Sequence, residues 1–216
     1  MSRHERSALL NCDTVELRAG YRTLVRNLKL ELYPSESVAI VGPNGFGKTT
    51  LLRTLCGVSR PYRGHVFLNG EMVWPEKSRN LKMDLCFLAS QPALFLDHSV
   101  MSNLQFYLRS LGRDVQIEDI SKALAAVNLA DHANQTSRTL STGQKRRLTL
   151  AFLRLAKPAL VFLDEPTNGL DSQGVSVCLE VLELARTSGS ALLIATHDRD
   201  LMEWCQRRID LKELAP

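Results

Sequence analysis

The chain has 216 residues, enough to bury a sizeable core in one domain or in one domain with an inserted lobe. With 44% hydrophobic residues, 23% charged residues and a net charge of +4, its composition excludes a disordered or fibrous protein. The basic residues are scattered, so no nucleic-acid footprint is implied, and the densest cluster, Lys145, Arg146 and Arg147, reads as the solvated face of a helix.

Cys12, Cys56, Cys86, Cys178 and Cys205 form no CxxC pair and no metal spacing. Several stand in apolar company, so reduced core thiols of a cytosolic protein are expected. The N-terminal run MSRHERSALL lacks the apolar segment of a secretory signal, and no apolar run reaches about 18 residues. A role at a membrane would need another chain as anchor.

In chain order, SVAIV (37–41) is a β-branched run that ends at a glycine loop, GPNGFGKTT. A helix follows in KTTLLRTLCG, ending at Gly57. GHVFLNG (64–70) reads as a strand between turn residues. Between 99 and 138 the pattern turns helical, in MSNLQFYLRSLG and IEDISKALAAVNLA, with no strand between them. LSTGQKRR (140–147) opens a further helix, with Ser141 at the cap position and Gly143 in the first turn, and that helix runs on through the apolar LTLAFLRLA. ALVFLDE (159–165) is an apolar run closed by two acids, as in a central parallel strand. A helix in GVSVCLEVLELART, a buried strand in ALLIATHD and a last helix in LMEWCQRR complete the pattern. Alternating strands and helices imply an α/β fold with a mostly parallel sheet, whose ligands sit at the carboxyl ends of the strands.

Three stretches carry chemistry. The first fits G-x-x-x-x-G-K-[ST] over Gly42, Pro43, Asn44, Gly45, Phe46, Gly47, Lys48, Thr49 and Thr50. Glycines let backbone N–H groups turn inward onto phosphate oxygens, Lys48 places a charge on the terminal phosphates, and Thr49 can ligate Mg²⁺. The helix starting near Lys48 adds its positive end. Phe46 is unusual, since small residues are common there. In the second stretch, Asp164 can hold Mg²⁺ and Glu165 can polarise an attacking water as general base. In the third, His197 ends a buried strand where the terminal phosphate should lie, and can hydrogen-bond it. The other histidines, His4, His65, His98 and His132, share no spacing and read as surface residues.

In this order the motifs resemble those of the ATP-binding subunits of ABC transporters over nearly the whole chain. GPNGFGKTT resembles Walker A, and LVFLDEP resembles Walker B with its catalytic glutamate, Glu165. LSTGQ resembles the family signature, NGLD the D-loop ending at Asp171, and LASQPALF the Q-loop, with Gln91 as the glutamine that contacts the metal and the membrane partner. His197 resembles the H-loop histidine. Tyr21, in LRAGYRTLV, stands where the family places an aromatic that stacks on adenine. The resemblance implies a P-loop NTPase of the ABC ATPase type, with an antiparallel N-terminal β subdomain and an inserted helical subdomain. It implies one domain over 1–216, with its core in 1–91 and 140–216 and the helical insertion at about 92–139.

The resemblance also implies ATP and Mg²⁺ as cofactors, with Thr49, Gln91 and Asp164 on the metal and Lys48, Glu165 and His197 in catalysis. Two subunits would pair head to tail, each ATP lying between Walker A of one and Ser141, Gly143 and Gln144 of the other. Integral membrane permease subunits would dock through the helical subdomain and the Q-loop, on the cytoplasmic face of the cell membrane. Two departures stand out: Thr142 replaces the third signature residue, usually glycine, and NGLD replaces the commoner SALD. The compact body, VSRPYRGHVFLNG, NLQFYLRSLG and Thr142 are similar to the haem-handling exporter ATPases of cytochrome c maturation. No Cys-His pair suggests direct haem binding. Other compact exporters of lipids, drugs or lipoproteins share much of the pattern, and a soluble ABC ATPase outside transport is the more distant alternative.

Overall fold

The computed structural model describes residues 7–74 and 84–215. The chain folds as two compact units, the first taking the residues up to Phe87, Ala159–Glu165 and those from Gly189, the second Leu88–Pro158 and Pro166–Ser188.

The first unit opens with an antiparallel hairpin of β1 (Leu10–Ala19) and β2 (Arg22–Leu32). In β2, Leu28, Leu30 and Leu32 are buried while Lys29 and Glu31 face solvent, the period-two pattern of a sheet with one wet face. β3 (Ser37–Val41) leads into α1 (Lys48–Leu55), followed by β4 (Arg63–Leu68) and β5 (Glu71–Trp74). The hairpin joins β4 and β5 in a four-stranded sheet of order β2-β1-β4-β5. β1 kinks at Thr14, with φ 50°, and a Cβ on Gly64 would lie 2.5 Å from the Thr14 carbonyl, so β4 can approach the kink only through glycine.

The second sheet takes β3 together with β6 (Leu85–Leu88), β7 (Leu160–Asp164), β8 (Ala191–Ala195) and β9 (Arg207–Asp210), in the order β6-β7-β8-β3-β9. β7, β8, β3 and β9 pair in parallel, and every residue of β7 and β8 is buried. Leu51, Leu52 and Leu55 of α1 pack into the same apolar cluster as Phe162, Leu193 and the inward leucines of β1 and β2. The expected last helix is shorter than its pattern suggests. α-Helix stops at Trp204, and Gln206 ties the chain to Ser37, its side chain accepting from Ser37 N (2.9 Å) and its N–H bonded to Ser37. The basic residues that follow therefore enter β9 as an edge strand instead of extending the helix.

The second unit is built from α2 (Val100–Ser110), α3 (Ile117–Ala126), α4 (Thr142–Ala156) and α5 (Ser172–Thr187). The expected insertion at 92–139 supplies α2 and α3 of this unit, which also contains α4 and α5. Ser99, Ser141 and Asp171 cap α2, α4 and α5 by accepting backbone N–H groups of the first turn. Buried Asn103 holds the loop ahead of α2, bonding both the N–H and the carbonyl of Phe95. All five cysteines are free and buried, as expected of core thiols, and burial pushes Cys12, Cys86 and Cys205 up to about 12. Among the described residues no helix is long and apolar enough to cross a membrane.

Candidate active site

In the first unit, β3 delivers the chain into a loop whose Gly42, Gly45 and Gly47 have φ of 148°, 80° and 93°. A Cβ on Gly47 would lie 2.9 Å from Leu24 Cδ1 of β2, so glycine is needed both for the turn and for the approach of the hairpin. Gly47 offers α1 no side-chain cap, which leaves the helix's first amides for another acceptor. Lys48 is 7% exposed; its ammonium donates to the Gly42 carbonyl at 2.9 Å and lies 3.7 Å from Glu165 Oε1. Thr49 donates its hydroxyl to Asp164, at 2.9 and 3.1 Å from the two oxygens, and Asp164 is buried at the end of β7. Pro43, Asn44 and Gly45 are exposed, and Phe46 and Thr50 are half-buried. The Arg22 guanidinium stands 5.8 Å over the Phe46 ring, a contact of the loop with β2 that the sequence did not foretell.

Glu165 carries a backbone geometry uncommon outside glycine. Its N–H still bonds Ala195 O at 2.8 Å, extending the β7–β8 ladder by one rung, but its φ is +49°. A left-handed backbone in a residue with a side chain costs about 1 kcal/mol or more and persists where its surroundings impose it. Here it aims the carboxylate at His197: Nδ1 is 2.8 Å from Oε2, and the His197 backbone N–H donates to the same oxygen at 3.3 Å. A carboxylate can only accept, so Nδ1 carries the proton. Lys48 and His197 thus hold the two oxygens of Glu165 from either side.

In the second unit, Ser141 and Gln144 form a reciprocal capping box at the start of α4: Ser141 Oγ accepts from Gln144 N at 3.2 Å, and Gln144 Oε1 accepts from Ser141 N at 2.9 Å. Gly143 packs so closely on the turn before α5 that a Cβ there would lie 2.9 Å from Gly169 O. Arg147 pairs with Asp171 at 2.6 Å, and Asp171 accepts from Gly174 N at 2.7 Å. The Gly174 N–H first, and Arg147 after it, hold the Asp171 carboxyl below the usual aspartate range. Ser141, Thr142, Gly143, Gln144 and Asp171 line one open cleft.

The candidate residues therefore fall into two groups, one in each unit: Gly42 to Thr50, Asp164, Glu165 and His197 in the first, and Ser141, Gly143, Gln144 and Asp171 in the second. Tyr21 stands fully exposed at the tip of the β1–β2 hairpin in the first unit, and Gln91 is exposed in the second.

Two expectations change. The basic cluster after the signature is not a solvated face: Arg146 is 2% exposed, donating to Ala89 O at 2.7 Å and to Ser90 O, while Arg147 is engaged by Asp171. His132 is not a surface residue either; it is half-buried, its Nε2 2.7 Å from Gln144 Nε2. His65 and His98 are exposed, and His4 lies outside the described residues.

A glycine-cradled loop leading into a helix, a buried lysine at its end and a hydroxyl bonded to a strand-end aspartate define a P-loop nucleotide-binding fold. The ABC transporter family matches residues 25–168. The cytochrome c biogenesis ATP-binding export protein CcmA of Pseudomonas syringae pv. tomato is 38% identical over 188 residues, 87% of each chain. The Nod factor export ATP-binding protein I of Cupriavidus metallidurans is 36% identical over 193 residues; the match takes 88% of this chain and 63% of that longer one. Among solved structures, a putative ABC transporter ATP-binding protein from Pyrococcus furiosus superposes with a TM-score of 0.84 at 22% identity, over 96% of this chain and 99% of that one. A dimeric ATP-binding cassette bound to ADP and Pi superposes with a TM-score of 0.83 at 23% identity, over 93% of each chain. The chain belongs to the ABC transporter family, as an ATP-binding and ATP-hydrolysing subunit.

Proposed function

We propose that the chain energises an exporter of the cytochrome c maturation type, handling haem at the cytoplasmic face of the cell membrane. The observation that carries ATP hydrolysis is the Glu165 carboxylate, held between Lys48 and His197 at the end of β7. The similarity to CcmA proteins along most of both chains carries the choice of exporter. A Nod-factor type of exporter is the second reading, favoured by 36% identity to that ATPase.

Each residue has a role in this reading. Tyr21 stacks on adenine. The amides of Gly42 to Gly47 and the first turn of α1, with Lys48, hold the phosphates. The Thr49 hydroxyl and Asp164 carboxylate are hard oxygen donors of the kind Mg²⁺ takes. Bound there, Mg²⁺ would neutralise charge on the terminal phosphates. Glu165 accepts the proton of the attacking water as general base. His197, through its Nδ1–H, fixes the carboxylate that does so.

The signature helix completes the site from a second subunit. Ser141 Oγ already accepts the Gln144 N–H, so its own O–H is free to donate outward to a phosphate oxygen. The start of α4 favours that anion as well. Membrane permease subunits dock on the helical unit beside Gln91, and ATP-driven closing and opening of the ATPase pair is passed to them as a population shift. The whole chain works as a single ABC ATPase domain.

The test is genetic and biochemical. Deleting the chain should abolish covalent haem attachment to c-type cytochromes, and the wild-type sequence, but not Glu165→Gln, should restore it. Unchanged c-type cytochromes in the deletion strain would exclude this exporter; co-purification of another permease would then identify the proper one.

A further inference from the structure

We infer that His132 is a positioning residue for the signature motif, acting through Gln144. It rests on the reading that Ser141 and its neighbours receive the nucleotide of a second subunit.

The hydrogen bonds around Gln144 leave one assignment of its atoms. The Ser141 backbone N–H can only donate, so the Gln144 atom facing it at 2.9 Å must be the amide oxygen. The amide nitrogen then faces His132 Nε2 at 2.7 Å. An amide NH₂ can only donate, so Nε2 must accept and the ring proton sits on Nδ1. Among the described residues the buried Nδ1 has no hydrogen-bond partner, an arrangement that costs stability. His132 closes the single helical turn Ala130–His132, which its own N–H ties to Leu129 O at 3.1 Å and its carbonyl ties to Gln135 N at 2.9 Å.

The consequence falls on Ser141. The capping box is reciprocal, so it lasts only while the Gln144 oxygen points at Ser141 N. His132 favours that orientation: turning the amide over would leave Ser141 N facing an NH₂ group and would require the imidazole to move its proton from Nδ1 to Nε2. Gln144 held this way keeps the first turn of α4 closed and leaves the Ser141 hydroxyl proton directed away from the helix. Without the Nε2 acceptor the amide is held by Ser141 N alone, and the phosphate-facing turn loosens although every signature residue is still present.

The test uses the full chain in the Glu165→Gln background, reading the ATP concentration for half-maximal dimerisation by sedimentation velocity. ATP affinity of the dilute monomer and thermal unfolding are measured alongside. His132→Ala should raise the half-maximal concentration about fivefold, the worth of one hydrogen bond of roughly 1 kcal/mol, with monomer affinity unchanged. His132→Gln, which returns an acceptor oxygen near the place of Nε2, should recover most of that loss. Ser141→Ala is the control for the underlying reading and should weaken dimerisation further still. If Ser141→Ala weakens dimerisation while His132→Ala does not, the positioning role is wrong and the signature reading survives. If His132→Ala and His132→Gln weaken it alike, or lower thermal stability in step, His132 is merely structural and the inference fails. If Ser141→Ala leaves dimerisation unchanged, the signature reading falls, and the role of His132 with it.

Discussion

At the level of single residues, the site rests on one carboxylate whose two oxygens are held by different partners. Glu165 Oε1 looks to Lys48 and Oε2 to His197, and the +49° φ of Glu165 sets that aim. Because His197 touches the proposed general base, its loss should impair the chemical step more than binding. His197→Ala is expected to lower kcat about 100-fold while the ATP affinity of the monomer stays within about twofold, as steady-state and binding measurements would show. Lys48, Thr49, Asp164 and Glu165 were legible because a fixed glycine-lysine spacing and an apolar run closed by two acids seldom occur together outside a nucleotide site. Arg146 and His132 were not. Arg146 looks like one more solvated cation until the carbonyls of Ala89 and Ser90, 57 and 56 positions earlier, come round to receive it. No periodicity announces that a lone histidine twelve residues before Gln144 will face its side chain.

At the level of elements, the start of α4 and the turn before α5 behave as one fitted piece. A Cβ on Gly143 would meet Gly169 O at 2.9 Å, and a Cβ on Gly169 would meet Thr142 Cγ2 at 3.2 Å. The two departures from the family pattern, Thr142 and the glycine of NGLD, are thus in contact: the threonine side chain uses room that a larger residue at 169 would need. Gly169→Ala should therefore destabilise more when Thr142 is present than in a Thr142→Gly background, with a coupling of about 1 kcal/mol in a denaturation double-mutant cycle. The strain of alanine at φ 79° is common to both backgrounds and cancels. Additive effects would show the contact to be without consequence.

Asp171 belongs to the same piece, capping α5 and pairing with Arg147. Its folded value lies below the unfolded one, so its contribution is complete above the ordinary aspartate range and is lost as pH falls through the lowered folded value. Asp171→Asn, which keeps a cap acceptor but no charge, should flatten the fall in stability between about pH 5 and pH 2, as urea denaturation across pH would show. The longer helices and the buried strands were readable from periodicity and apolar runs. β9 was not, because RRID is short, basic and only half-buried, and it becomes a strand through the bonds between Gln206 and Ser37 that set it beside β3.

At the level of the whole molecule, the phosphate loop and the signature helix belong to different compact units of one chain. In the proposed head-to-tail reading each is half of a nucleotide site, and two chains complete two sites between them. Family membership over residues 25–168 supports that reading. The direct measurement is sedimentation of the Glu165→Gln chain with and without Mg-ATP, with bound nucleotide counted. The expected result is a monomer without nucleotide and a stable dimer holding two ATP with it, alongside loss of turnover. A chain that stays monomeric with ATP bound, or that still hydrolyses ATP at the wild-type rate, would contradict both the shared site and the role of Glu165.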